Sequence, residues 1–310
     1  MGAIRSQRAE RRATKGLLSF DPVPLPRLLS ALVTPFDRGG EIDLAAHRHN
    51  LGTLWDQGIR GFLIGGSTGE GPYLEPGERE RLVSEARKAL GKKASLICGV
   101  AAETVRQASA MVQEGITAGA DAVLVITPTT LTRNRMAYVE GFYRAVADAS
   151  LLPVLLYSVP GVTAFELPED LVAALAKHPN IVGIKDSGGH PVRLQRTLAS
   201  VPAAFTVFSG STQALTLAVT AGAHGGITAS TNYMPERLLA TLKTARSQPL
   251  KARSLQREIS RISAEVESLG IPGVKAASAA AGLRPGYPRL PLRALTRHEA
   301  ARLVNLVRSP

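Results

Sequence analysis

The sequence is poor in several things that would otherwise direct a reading. It has one cysteine, Cys98, so neither an intramolecular disulfide nor a thiolate metal cage can form within it. No apolar run approaches the roughly 20 residues that cross a bilayer. Six histidines are scattered without ligand-like spacing, so no metal site is expected. No GxGxxG follows the first apolar run, which argues against a dinucleotide-binding fold and an organic cofactor of that kind. Gly and Pro together make 49 residues, without period, which excludes collagen-like and low-complexity classes. Charge is modest at 20% against 45% apolar residues, so the chain is a folded one.

What is present is a chain of 310 residues with 37 Lys+Arg against 25 Asp+Glu, a net +12. Such an excess fits nucleic acid, an acidic membrane surface or small anionic substrates. Its distribution decides among them. The first twenty residues hold Arg5, Arg8, Arg11, Arg12 and Lys15 with a single acid, Glu10. Residues 1–24 read as a loosely ordered basic tail. An Arg-rich transit segment and, from Met1-Gly2 with Ser6, a myristoylation signal are the alternatives. Residues 236–310 carry fourteen basic and five acidic groups, whereas residues 21–235 are nearly balanced, eighteen to nineteen. The excess therefore lies outside the body of the chain and says little about a substrate; neither nucleic acid nor membrane is expected as partner.

From about residue 28, short apolar runs recur near 28–33, 61–65, 95–99, 121–126, 153–157, 181–185, 204–208 and 225–229. Several are apolar almost throughout, as strands are when both faces of a parallel sheet are covered. The stretches between them read as helices, with Pro76 and Pro168 at first turns. Eight strand–helix units over about 210 residues predict an α/β fold of the (β/α)8 TIM-barrel type. We assign it to residues 25–235, followed by a C-terminal helical appendix over 236–310. There Leu255, Ile259, Ile262, Val266 and Leu269 follow helical spacing, and Arg253, Arg257 and Arg261 form a solvated stripe. A last helix is expected from Thr296 to Leu306.

Reactive groups of such barrels collect at the C-terminal ends of the strands. The sixth run ends at Lys185. A lysine at the tip of a buried strand is desolvated, which favours the neutral amine, the form that attacks a carbonyl to make a Schiff base. The bland alternative is a rim lysine paired with Asp186. The fifth run ends at Tyr157, on the neighbouring strand, where a phenol could give a proton to a carbinolamine or simply cap the core. The second run ends in Gly65-Gly66-Ser67-Thr68-Gly69-Glu70, a turn of exposed N–H groups and hydroxyls suited to a carboxylate or phosphate. Gly210 after the seventh run and Gly225-Gly226-Ile227 in the eighth are places of close backbone approach.

These segments resemble, in order, the dihydrodipicolinate synthase/N-acetylneuraminate lyase family: GSTGE (Gly66–Glu70), YSVP-x-x-T (Tyr157–Thr163), GIKDSGG (Gly183–Gly189), FSGS (Phe208–Ser211) and GIPGVK…PRLPL (Gly270–Leu292). The likeness runs from about Leu28 to Leu306. It implies a barrel enzyme, a cytoplasmic homotetramer or homodimer, that handles pyruvate or a related 2-oxo acid through a lysine Schiff base, without metal or cofactor. It makes Lys185 the Schiff-base lysine and Tyr157 the proton-relaying phenol. Gly66, Ser67 and Thr68 would hold the substrate carboxylate, and Gly210 and Ile227 would line the lysine with backbone carbonyls.

The chain departs from the synthases of that family at three places. Their Arg before the motif threonine, which grips the second substrate, is Val162 here. Their tyrosine pair after Thr-Pro is Thr129-Thr130-Leu131 here, leaving the proton relay incomplete unless Thr130, Tyr138 or a water substitutes. Glu103 and Gln107 do not match the lysine feedback site. The sequence resembles more closely the 4-hydroxy-2-oxoglutarate aldolase branch, in YSVP, HPNIVGIKDSGG (His178–Gly189), GIPG and PLRALT. A class I aldolase is thus the leading expectation. The alternatives are a dihydrodipicolinate synthase condensing pyruvate with aspartate semialdehyde, a sugar-acid dehydratase or neuraminate-lyase-like aldolase, and a barrel that binds a 2-oxo acid without turnover.

Overall fold

The computed structural model describes residues 25–308. The tail inferred for residues 1–24, with its transit and myristoylation alternatives, lies outside the described residues. Eight parallel strands close into a barrel in chain order: β1 (Leu28–Ala31), β2 (Gly61–Ile64), β3 (Ser95–Val100), β4 (Ala122–Ile126), β5 (Val154–Ser158), β6 (Ile181–Asp186), β7 (Thr206–Ser209) and β8 (Gly225–Thr228). The seventh strand starts later than its apolar run suggests, because Phe205 N–H closes a turn onto the Pro202 carbonyl. Closure comes from β1 pairing β8, with Leu29 opposite Ile227. Asn232 reinforces it by accepting from Val33 N–H at 3.1 Å and donating to the Ala31 carbonyl at 2.8 Å.

Between the strands run α1 (Leu44–Asp56), α2 (Glu78–Leu90), α3 (Val105–Ala118), α4 (Met136–Ala149), the short α5 (Pro160–Thr163), α6 (Glu169–Leu175), α7 (Pro191–Ser200) and α8 (Leu215–Ala221). After β8 come α9 (Pro235–Thr244), α10 (Pro249–Glu267), α11 (Gly270–Ala280) and α12 (Arg297–Arg308). Pro76 stands just before α2 rather than in its first turn. Gly77, in the left-handed region at φ 84°, precedes the helix, and the Glu78 carboxylate accepts from Glu75 N–H. Thr296 and Glu299 form a reciprocal capping box that starts α12. On α10, Ala252, Ile259, Ile262 and Val266 are buried while Arg253, Arg257 and Arg261 face solvent; Leu269 falls beyond the helix end.

Strand alternation divides the core into two layers. Leu29, Leu63, Ile97, Leu124, Leu155, Tyr157, Phe208 and Ile227 fill the lumen, whereas Val154, Leu156 and Ile184 pack outward against the helices. The same parity sends Lys185 into the lumen and Asp186 toward the helix layer.

His47 is buried where α1 meets α2, with Nε2 3.1 Å from the Leu82 carbonyl. Burial pushes its imidazole down to about 4. The unfolded chain therefore binds this proton more readily than the folded one below an ordinary histidine value near 6.5. Stability that is complete above about 6.5 should fall by up to about 3 kcal/mol as the pH drops to 4. Urea unfolding at pH 7 and 4.5 measures it; in His47→Gln the difference between the two pH values should shrink.

Candidate active site

Lys185 and Tyr157 stand opposite one another in register on β6 and β5. Both are almost completely buried, at 4% and 5% exposure. Lys185 Nζ donates to Tyr157 Oη at 3.3 Å and lies 4.4 Å from the centre of the phenol ring. Asp186 is not its partner: that carboxylate accepts from Arg193 Nε at 2.9 Å and from Gly188 N–H at 2.8 Å, on the outer side of the strand. Glu166 joins the same guanidinium at 3.2 Å.

Gly210, just after β7, packs on the lysine. A Cβ there would lie 2.9 Å from Lys185 Cε and 1.9 Å from Ser187 Oγ, so any side chain would displace the serine and push on the lysine. Ile227 is buried in the lumen wall on β8.

The loop after β2 forms a tight turn, with Glu70 N–H bonded to the Ser67 carbonyl and Gly71 N–H to the Gly66 carbonyl. Among the described residues, neither the N–H groups nor the hydroxyls of half-buried Ser67 and Thr68 donate a hydrogen bond. The turn therefore presents donors with nothing opposite them, the arrangement an anion needs. Glycine is obligatory beneath it: a Cβ at Gly71 would meet the Gly65 carbonyl oxygen at 2.0 Å, and one at Gly99 the same atom at 2.3 Å.

Two cations that the sequence reading passed over hold this turn. Arg79 is 1% exposed and donates to the carbonyls of Gly99 at 2.7 Å and Gly71 at 3.0 Å. Lys275, from α11, pairs with Glu70 at 2.6 Å. Glu70 is itself 1% exposed and in the left-handed region at φ 55°, and its other oxygen accepts from Arg289 N–H at 2.8 Å. Burial pushes Lys275 down to about 8 against the pull of Glu70. The signal was readable in part, since Lys275 interrupts an otherwise apolar helix.

The segment after β4 is arranged differently. Thr127 Oγ1 donates to the Tyr157 carbonyl at 3.1 Å and bonds the Tyr143 hydroxyl at 2.9 Å, tying the two strand tips together. Burial raises the Tyr143 phenol, so it stays protonated. Thr129 and Thr130 donate their N–H groups to Glu103, which thus clamps the loop. Thr130 is exposed, Leu131 is 88% exposed and Tyr138 62%; among the described residues none of the three hydrogen-bonds to Lys185 or Tyr157, and the Lys185 amine donates to Tyr157 alone. Val162 is 62% exposed on α5, and the hydroxyl of Thr163 beside it is turned inward onto the carbonyls of Val159 and Phe165.

A polar cluster over the ends of β7 and β8 was not foreseen. Thr212 Oγ1 and Ser230 Oγ lie 2.6 Å apart, and Ser230 donates on to Thr228. Thr212 and the Tyr233 hydroxyl both donate to Glu267 Oε1, at 3.5 and 3.2 Å. Glu267 ends α10, and its place in a charged helix hides it from a reading of spacing. No group of three or more His, Cys, Asp or Glu side chains among the described residues is arranged to hold a metal.

Residues 24–309 match the profile of the Dihydrodipicolinate synthetase family. The chain is 33% identical to 4-hydroxy-tetrahydrodipicolinate synthase 1 of Streptomyces coelicolor, over 92% of its own length and 93% of that protein. It is 34% identical to the 4-hydroxy-tetrahydrodipicolinate synthase of Xanthomonas campestris pv. campestris, over 90% and 93%. Among solved structures, it resembles a dihydrodipicolinate synthase of Bacillus anthracis with a TM-score of 0.87 and 27% identity, over 92% and 98% of the two chains. A prophage protein of the dihydrodipicolinic acid synthase family from E. coli K12, in complex with pyruvate, gives 0.86 and 26% over 92% and 98%.

Proposed function

This chain belongs to the dihydrodipicolinate synthetase family, whose members are pyruvate-dependent lyases and synthases, and within it we propose a class I aldolase that cleaves a 4-hydroxy-2-oxo acid of the 4-hydroxy-2-oxoglutarate type to pyruvate and an aldehyde. The observation that carries the reading is the buried Lys185–Tyr157 pair at 3.3 Å, at the C-terminal mouth of the barrel.

Neutral Lys185 attacks the C2 carbonyl while the substrate carboxylate rests on the donors of Gly66, Ser67 and Thr68. Tyr157 gives the carbinolamine oxygen a proton, water departs, and a cationic iminium forms on Nζ. The Tyr157 phenolate left by that transfer takes the proton of the C4 hydroxyl and the C3–C4 bond breaks; its electron pair runs into the iminium, giving an enamine and releasing the aldehyde. Protonation at C3 and hydrolysis return pyruvate and the amine. Backbone at Gly210 and Ile227 lines the lysine and keeps it aimed.

Condensation of pyruvate with aspartate semialdehyde is the second reading, favoured by the names of the curated relatives. Against it stands Val162, where the synthases of the family carry an arginine for the second substrate. Reduction with borohydride in the presence of pyruvate, followed by peptide mass spectrometry, should find the adduct on Lys185. Its absence would remove every Schiff-base reading and favour a binding barrel. Turnover of 4-hydroxy-2-oxoglutarate against condensation of aspartate semialdehyde then separates the two enzymes, and the second result would overturn the aldolase. An adduct with neither activity would point to a sugar-acid dehydratase or neuraminate-lyase-like aldolase. Tyr157→Phe should lower kcat about a hundredfold while leaving the adduct site unchanged.

We further propose a cytoplasmic homotetramer or homodimer. Leu131 and Tyr138, exposed at the β4–α4 loop and the start of α4, are apolar surface of the kind an assembly covers. Light scattering on the purified protein reads the mass directly. No helix among the described residues is long and apolar enough to cross a membrane.

A further inference from the structure

We propose that Glu267 is the counter-charge of the cationic imine on Lys185, held over the mouth of the barrel by Tyr233 and Thr212. The proposal rests on the Schiff-base reading and adds to it a positioning residue that acts on the lysine through its field.

The geometry begins at the lysine. Lys185 has a phenol beside it and, among the described residues, no carboxylate within ion-pairing distance, because the acid next to it in sequence, Asp186, belongs to Arg193 on the other side of the strand. A cationic iminium generated there would stand in a low-dielectric lumen without compensation. The backbone that touches Lys185 Cε is Gly210, and two residues farther on the same loop Thr212 reaches Glu267. From the next strand, the segment after β8 sends Tyr233 to the same oxygen. Glu267 is thereby held by the segments that follow β7 and β8, and β7 is the strand paired with the one that carries the lysine, Phe208 standing opposite Lys185.

Its two hydrogen bonds fall on Oε1; among the described residues Oε2 accepts none. Burial raises the carboxyl, while the Tyr233 hydroxyl and the Lys185 charge both act to keep it ionised. The groups that face this pair are Tyr157 from β5, Tyr233 and Ser230 from the segment after β8, and Thr212 from the loop after β7. Asp186, Arg193 and Glu166 lie on the outside of β6.

A charge that compensates the iminium leaves a double signature. Without it the ammonium form of Lys185 is less favoured, so nucleophilic amine persists to lower pH; the cationic imine is also less stable, so the steps that pass through it slow down. In Glu267→Gln, which keeps shape and an acceptor for both hydroxyls, borohydride trapping of pyruvate should still label Lys185. Its pH midpoint should move down by about one unit. Turnover of the 2-oxo acid substrate should fall about tenfold to a hundredfold in kcat, with KM changed by less than about threefold. Glu267→Asp should recover part of the loss. A merely structural role would slow the reaction without displacing the trapping midpoint, and an unmoved midpoint overturns the proposal.

Tyr233→Phe provides a second reading that does not depend on the fold tolerating a change at Glu267. Loss of the phenol donor makes the carboxyl hold its proton to higher pH, so the acid limb of kcat should move up by about half a unit. An unmoved limb also counts against the proposal. Failure of the wild-type protein to form any adduct would instead remove the Schiff base itself, a result distinguishable from either.

Discussion

Replacing Lys185 with alanine is expected to abolish pyruvate trapping and lower turnover by at least about 10⁴-fold. The loss is this large because of what the residue supplies. An amine fixed at a strand tip replaces a bimolecular encounter, an advantage worth effective molarities of about 10⁵–10⁸ M in well-oriented systems. The covalent imine then provides an electron sink that nothing else in the lumen offers. Lys185→Arg should be as inactive, because the guanidinium remains protonated. Circular dichroism should be unchanged for Lys185→Ala, since the truncation leaves the Asp186–Arg193 pair and the register of β6 untouched. Steady-state rates and peptide mass spectrometry decide it, and residual trapping on another lysine would show the assignment to be mistaken.

Lys275→Met should produce the largest loss of stability. Both ends of its pair with Glu70 are buried, with side-chain exposures of 3% and 0%. Removing one partner of such a pair leaves the other as an uncompensated buried charge, which costs about 3–5 kcal/mol. The loss should reach function as well, because Glu70 is the last residue of the turn that presents Ser67 and Thr68. A displaced Glu70 loosens that turn, so KM for the 2-oxo acid should rise more than kcat falls. Adding Glu70→Gln should recover most of the stability, since the amide oxygen can still accept from Arg289 N–H and no charge is left unpaired. Urea denaturation of the two single variants and the double variant tests the cycle; strict additivity would show the pair to be energetically uncoupled.

The barrel was legible because strands buried on both faces must be apolar nearly throughout, as at Ala122–Ile126 and Val154–Tyr157. A polar residue at the end of such a run therefore stands out, which is how Lys185 and Tyr157 came to notice. What escaped notice shares one physical cause. Arg79 lies in the charged run ERERLVSEARK of α2 and Glu267 in a helix that begins with a basic stripe, so both resemble ordinary solvated positions. Their burial depends on which loop lies against them: Gly71 and Gly99 against Arg79, and Thr212 and Tyr233, 55 and 34 positions away, against Glu267. Thr130 illustrates the converse: a hydroxyl near a motif in sequence is exposed, with its backbone rather than its side chain engaged.

The closure of β1 onto β8 bears on how the molecule is made. Leu29 meets Ile227, and Val33 meets Asn232, across about two hundred residues of chain. Until the eighth strand has been synthesised, β1 has one open edge and β7 another, and each offers unpaired N–H and carbonyl groups to other chains. Contacts so distant in sequence are also slow to form, because the loop between them must close first. The lumen that buries Lys185 thus comes into being only when that last strand closes the ring, forty residues of chain after the lysine itself and ahead of the helices α9 to α12.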